Sequence, residues 1–88
     1  MMDRDQFYSF MKYSVQDLLN ERGVEGSVQI EHVMKTNDQV LTGLVIRSEG
    51  ECISPCIYLN DMYERYQDGY PLSYMANEVA DLIRSLLI

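Results

Sequence analysis

The chain has 88 residues, with fourteen Asp and Glu against seven Lys and Arg, a net charge of −7 and a pI near 4.4. That length is one domain, residues 1–88, and a chain so short buries only about 60–65% of the surface its unfolded form exposes. The basic residues are scattered singly, so they form no patch that could neutralise phosphates, which argues against nucleic acid and an anionic membrane surface as partners.

Forty-seven per cent of the residues are apolar, the ordinary level for a folded globular chain. The opening MMDRDQFYSF has no basic stretch followed by an apolar run, so it does not read as a secretory leader. No stretch approaches the ~18 apolar residues of a membrane span. Two cysteines without such a leader read as reduced thiols, and the expected location is cytoplasmic.

The first element is a helix. Asp3 suits an N-cap, and Gln6 stands at capping-box spacing. Phe7, Phe10, Met11, Ser14, Val15, Leu18 and Leu19 then fall on one stripe. Gly23 supplies a left-handed stop. From Ser27 the period drops to two, and Val28, Ile30, His32 and Met34 alternate with Gln29, Glu31, Val33 and Lys35, which predicts a half-buried strand. Thr36-Asn37-Asp38-Gln39 is a turn. Val40 to Arg47, apolar on both parities, is a central strand. Ser48-Glu49-Gly50-Glu51 is a second tight turn. A third strand runs from about Cys52 to Leu59, and Pro55, having no N–H, makes it an edge or a bulged strand. Asn60 is expected to cap a short helix ending at Asp68-Gly69. Ser73 is expected to cap a last helix with the stripe Met75, Ala76, Val79, Leu82, Ile83 and Leu86.

The expected fold is α+β: a three-stranded antiparallel meander, order 1-2-3, with an N-terminal helix and two C-terminal helices, α-β-β-β-α-α. Two-residue turns at Asn37-Asp38 and Glu49-Gly50 would place Met34 opposite Leu41, His32 opposite Gly43, Ile46 opposite Ile53 and Gly43 opposite Cys56. In that register both faces of the sheet are apolar. A meander covered on one side should show one polar face. Helices on both faces, a bulge that re-sorts the residues, or a cover outside these residues would each account for it. The sequence ends Arg84-Ser85-Leu86-Leu87-Ile88, an uncapped apolar helix turn, so the expectation is an N-terminal fragment of a longer protein.

Few residues offer chemistry. Cys52 and Cys56 lie four apart, roughly 13 Å on an extended strand, too far for one zinc or a disulfide unless the strand bends sharply. They read as small buried residues. His32 is the only histidine. In the expected register it and Cys56 flank Gly43, where a Cys-His nucleophile pair is conceivable but has no orienting third group. Asn60, Asp61, Glu64 and Asp68 read as a solvated helix start rather than a calcium loop. Tyr58, Tyr63, Tyr66, Tyr70 and Tyr74 fall within seventeen residues, and tyrosine is enriched at interfaces. No phosphate-binding, zinc-protease or serine-hydrolase motif is present. The sequence assigns no catalytic, cofactor-binding or metal residue.

Lys35-Thr36-Asn37-Asp38, Leu41-Thr42-Gly43-Leu44-Val45-Ile46-Arg47, Ile53-Ser54-Pro55-Cys56-Ile57-Tyr58-Leu59-Asn60 and Tyr63-Glu64-Arg65-Tyr66-Gln67-Asp68-Gly69 form a recognisable series. It resembles a family of uncharacterised clostridial proteins, a domain of unknown function, with a K-N-N turn, an L-x-G-L-x-I strand, an I-x-P-x-I-Y-L-N stretch and a Y-x-x-Y-x-x-G helix. Thr36 stands where the usual residue is Asn. The resemblance spans about Val28 to Ile83 and implies the same fold in a longer chain. It implies no activity.

The sequence is compatible with two functions. The first is a non-catalytic module that binds protein, either a second copy as a homodimer or the rest of a parent chain, with the five tyrosines as the candidate interface. The alternative is an enzyme fragment whose site near His32 and Cys56 is completed by other sequence.

Overall fold

The structure is a computed structural model that describes residues 1–34 and 40–87. Helix α1 (Arg4–Glu21) is followed by strands β1 (Ser27–Met34), β2 (Val40–Ser48), β3 (Glu51–Cys52) and β4 (Ile57–Tyr58), then helices α2 (Asn60–Gln67) and α3 (Leu72–Leu87). The class is α+β, with an antiparallel sheet in which β2 is central.

Local chemistry sets the helix ends. Asp3 and Gln6 form the reciprocal box: Gln6 N–H donates to Asp3 Oδ1 at 2.8 Å and Asp3 N–H to Gln6 Oε1 at 2.9 Å. At the other end Gly23 sits at φ 71°, with Gly23 N–H on Asn20 O and Val24 N–H on Leu19 O, a Schellman stop. Asn60 does not cap α2. It is the first helical residue, its side chain turned to the sheet, where Oδ1 accepts from Thr42 N–H at 2.8 Å. Helix α3 begins at Leu72, one residue before the expected cap, Ser73.

The third strand is broken. Arg47 pairs with Cys52 and Ser48 with Glu51 as the second tight turn dictates, and Glu49 and Gly50 both take positive φ. Past Ile53 the register jumps by two, so that Gly43 pairs with Tyr58. Ser54, Pro55 and Cys56 form the bulge that Pro55 forecasts, which divides one expected strand into β3 and β4.

The first hairpin differs by one residue. Met34 pairs with Val40, Ile30 with Leu44 and Val28 with Ile46. The expected turn at 36–39 lies outside the described residues. A one-residue slip moves every side chain of one strand to the other face. Here it gathers Val28, Ile30, Leu44, Ile46 and Ile57 on the helix side, and Gln29, Glu31, Val33, Leu41, Gly43, Val45, Arg47 and Tyr58 on the other. The two apolar faces of the sequence reading were a product of the wrong register.

The main core cluster lies on the helix side: Phe7, Met11, Val15 and Leu19 of α1, Val28, Leu44 and Ile46 of the sheet, and Met75, Val79 and Ile83 of α3. Leu82 and Leu86, expected in the α3 stripe, are half exposed, and Ala80 takes the buried place. Phe7, Tyr8, Tyr63 and Tyr66 form an aromatic cluster with ring centroids 5.4–6.5 Å apart. Tyr66 Oη accepts from Met2 N–H at 2.8 Å and ties the chain start to α2.

Candidate functional site

The sheet face away from the helices contributes nothing to the core cluster. On it Glu31 and Arg47 make an ion pair at 2.5 Å across β1 and β2, and the Glu31 hydrogen bond raises the Arg47 guanidinium further above its ordinary value. Val45, of the same parity, is 1% exposed and stands outside the core cluster. The Cys56 sulfur occupies the place a side chain at residue 43 would take, since a Cβ built on Gly43 would overlap it. Burial pushes the Cys56 thiol up, and the negative charges of Glu31 and Cys52 push it further. Around this centre Val33 and Tyr58 are 40% and 46% exposed, and Leu41 is half-buried.

The structure does not bring His32 and Cys56 together. His32 has the helix-side parity, and its Nδ1 shares a hydrogen bond with Thr42 Oγ1 at 3.0 Å. Cys56 sits over Gly43 on the opposite face. The space above Gly43 holds that sulfur. Cys52 is exposed and its thiol donates to Ser54 O at 3.1 Å.

The five tyrosines do not make one surface. Tyr63 is 7% exposed within the core, and Tyr66 stacks on Phe7. Tyr70 is half-buried, hydrogen-bonded to Glu78 with Arg65 over its ring at 4.2 Å. Its hydroxyl is pushed up by the Glu78 hydrogen bond first, then by burial and the Glu78 charge, with Arg65 opposing. Tyr58 lies on the bare sheet face, and Tyr74 is exposed on α3.

The sequence reading missed the edge of β1. Thr42 and Ile46 direct their N–H groups away from β1, to Asn60 Oδ1 and Ser54 Oγ. The opposite parity of β2 therefore bonds to β1, and it does so through Ser27, Gln29, Glu31 and Val33. Val28, Ile30 and His32 point their backbone groups outward. The Gln16 side chain closes one end of this edge: Oε1 accepts from Val28 N–H at 2.8 Å and Nε2 donates to Gly26 O at 3.1 Å. Beyond Val28, the N–H and C=O groups of Ile30 and His32 have no backbone partner among the described residues. Two adjoining hollows of about 320 and 310 Å³ run between this edge and α1, sharing Lys12 and Ile30. Tyr8 lines the second, and its hydroxyl is buried without a hydrogen-bond partner among the described residues. The signal in the sequence was Gln16, a polar residue beside an apolar helix stripe, but its target depended on the register.

Fold and site together define a small two-layer α+β domain with one bare sheet face and one open sheet edge. A family model described as a family of unknown function (DUF5688) matches residues 5–86, and the chain belongs to that family. No curated protein and no solved structure matches it significantly. Among the described residues, no helix is long and apolar enough to cross a membrane.

Proposed function

We propose that the domain is a non-catalytic protein-interaction or intramolecular packing module. The observation that carries this reading is the sheet face opposite the helices, where Val33, Leu41 and Tyr58 group beside Glu31, outside the core cluster. Apolar residues grouped at a surface and rimmed by charge are the usual mark of an interface. The scattered placement of His32, Cys52 and Cys56 adds support, because nucleophilic chemistry needs its groups within hydrogen-bond reach. A photo-reactive amino acid at position 58 should cross-link a protein, either a second copy or another chain. The same group at exposed Tyr74 should not, and Val33→Asp should abolish the product at 58. Equal cross-linking from both positions, or none from 58, would remove the basis of the reading.

A further inference from the structure

We infer that the open edge of β1 accepts an extended segment of a partner protein as an added strand, with apolar residues on one parity and Lys or Arg on the other. This rests on the reading of the domain as a protein-interaction module and specifies what it binds and where. Ile30 and His32 present backbone donors and acceptors at strand spacing, and the complement of such a row is another extended backbone. Monomeric proteins blunt long edges with proline, charged side chains or a bulge, and β1, SVQIEHVM, carries of these only Glu31, which pairs with Arg47 on the bare face. Gln16 already behaves as a one-residue stub of such a strand, since its amide both accepts from and donates to the backbone on either side of Ser27.

The parity of the added strand follows from its surroundings. Its residues opposite Ile30 and His32 would turn to the helix side, into the hollows lined by Tyr8, Lys12, Tyr13 and Gln16. Its alternate residues would lie on the bare face beside Glu31, whose carboxylate already pairs with Arg47, so the preference for Lys or Arg comes from the net charge of −7 over the whole chain. Net charge selects against a second copy: two chains of −7 repel, and pairing β1 with itself about Glu31 would set like carboxylates face to face. A basic amphipathic strand satisfies the edge, the hollows and the charge together.

The test uses the whole chain, labelled for amide NMR, and a blocked synthetic peptide alternating Lys and Val over seven residues. The peptide should slow exchange of the Ile30 and His32 amides at least tenfold and leave Gln29 and Glu31, already in the ladder to β2, unchanged. A peptide with Glu in place of Lys should bind at least tenfold more weakly, and high salt should shrink that difference. His32→Pro removes the outward N–H together with the imidazole bond to Thr42 and should weaken binding tenfold or more, whereas His32→Val loses the same imidazole but keeps the amide and should bind as the parent does. No protection at millimolar peptide, or protection undiminished in a folded His32→Pro chain, overturns the inference. So does protection that grows with protein concentration before any peptide is added, which would assign the edge to a second copy. Cross-linking at position 58 with an unprotected edge would defeat this inference alone and leave the interaction module standing.

Discussion

At the scale of single residues, two side chains hold the broken third strand to β2. Ser54 is 8% exposed, and its Oγ accepts from Ile46 N–H at 2.9 Å, standing in for the carbonyl that the bulge has moved away. Ser54→Ala leaves that buried N–H unpaired and should cost about 1–3 kcal/mol, read from urea unfolding midpoints. A loss below about 0.5 kcal/mol would show that water replaces the hydroxyl. Gly43 is required for a different reason: the Cys56 sulfur fills its side-chain space. Gly43→Ala should destabilise by about 1–3 kcal/mol, and adding Cys56→Ala should return much of that, giving a coupling a double-mutant cycle can measure. The same sulfur titrates unusually. Its pKa is raised in the fold by burial and by Glu31, so the unfolded chain releases the thiol proton first. Stability from this group is constant below its ordinary value of 9.0 and falls as pH rises past it. Alkylation followed by mass spectrometry at pH 8 should modify exposed Cys52 well before Cys56.

At the scale of elements, α1 is the piece most completely specified by local chemistry. Its box, its stripe and its glycine stop were all legible, because each depends on residues within one or two turns. Asp3→Ala should cost about 0.5–2 kcal/mol by calorimetry, and Asp3→Ser should recover most of it. The sheet behaves differently. The second turn and the bulge could be read from Glu49-Gly50 and Pro55, but the first hairpin could not be read from Asn37-Asp38. A better guide was available in the side chains: only the odd register sorts Gln29, Glu31 and Arg47 onto one face and Val28, Ile30, Leu44 and Ile46 onto the other. Facial asymmetry, which stabilises through burial, outweighs the preference of a short turn. The same slip separated His32 from Cys56 and exposed the outward groups of β1.

At the scale of the whole molecule, charge and size set the limits. Among the described residues three ion pairs, Arg22–Asp81, Arg47–Glu31 and Arg65–Glu78, engage acids of a chain that carries fourteen. All three are at least partly exposed and worth ~0–1 kcal/mol each. Repulsion among the remaining acids should therefore dominate the salt response. Raising sodium chloride from low to physiological strength should raise the melting temperature, and a fall would mean that the ion pairs contribute more than the repulsion.

By itself the sequence determined the α+β class, the helix spans, the central strand and the interruption at Pro55, since each is written in short-range spacing. It also carried the resemblance to a family of unknown function. Tertiary structure decided which residues share a sheet face. That choice turns on one residue of register between β1 and β2, and it is made by what α1 and α3 bury. The helices cover Leu44 and Ile46, so Val33, Leu41 and Tyr58 remain on the bare face, and Ile30 and His32 direct their backbone groups outward. The proposed interaction surfaces follow from that one packing decision, which is written in the facial pattern of the two strands taken together and not in a turn signal.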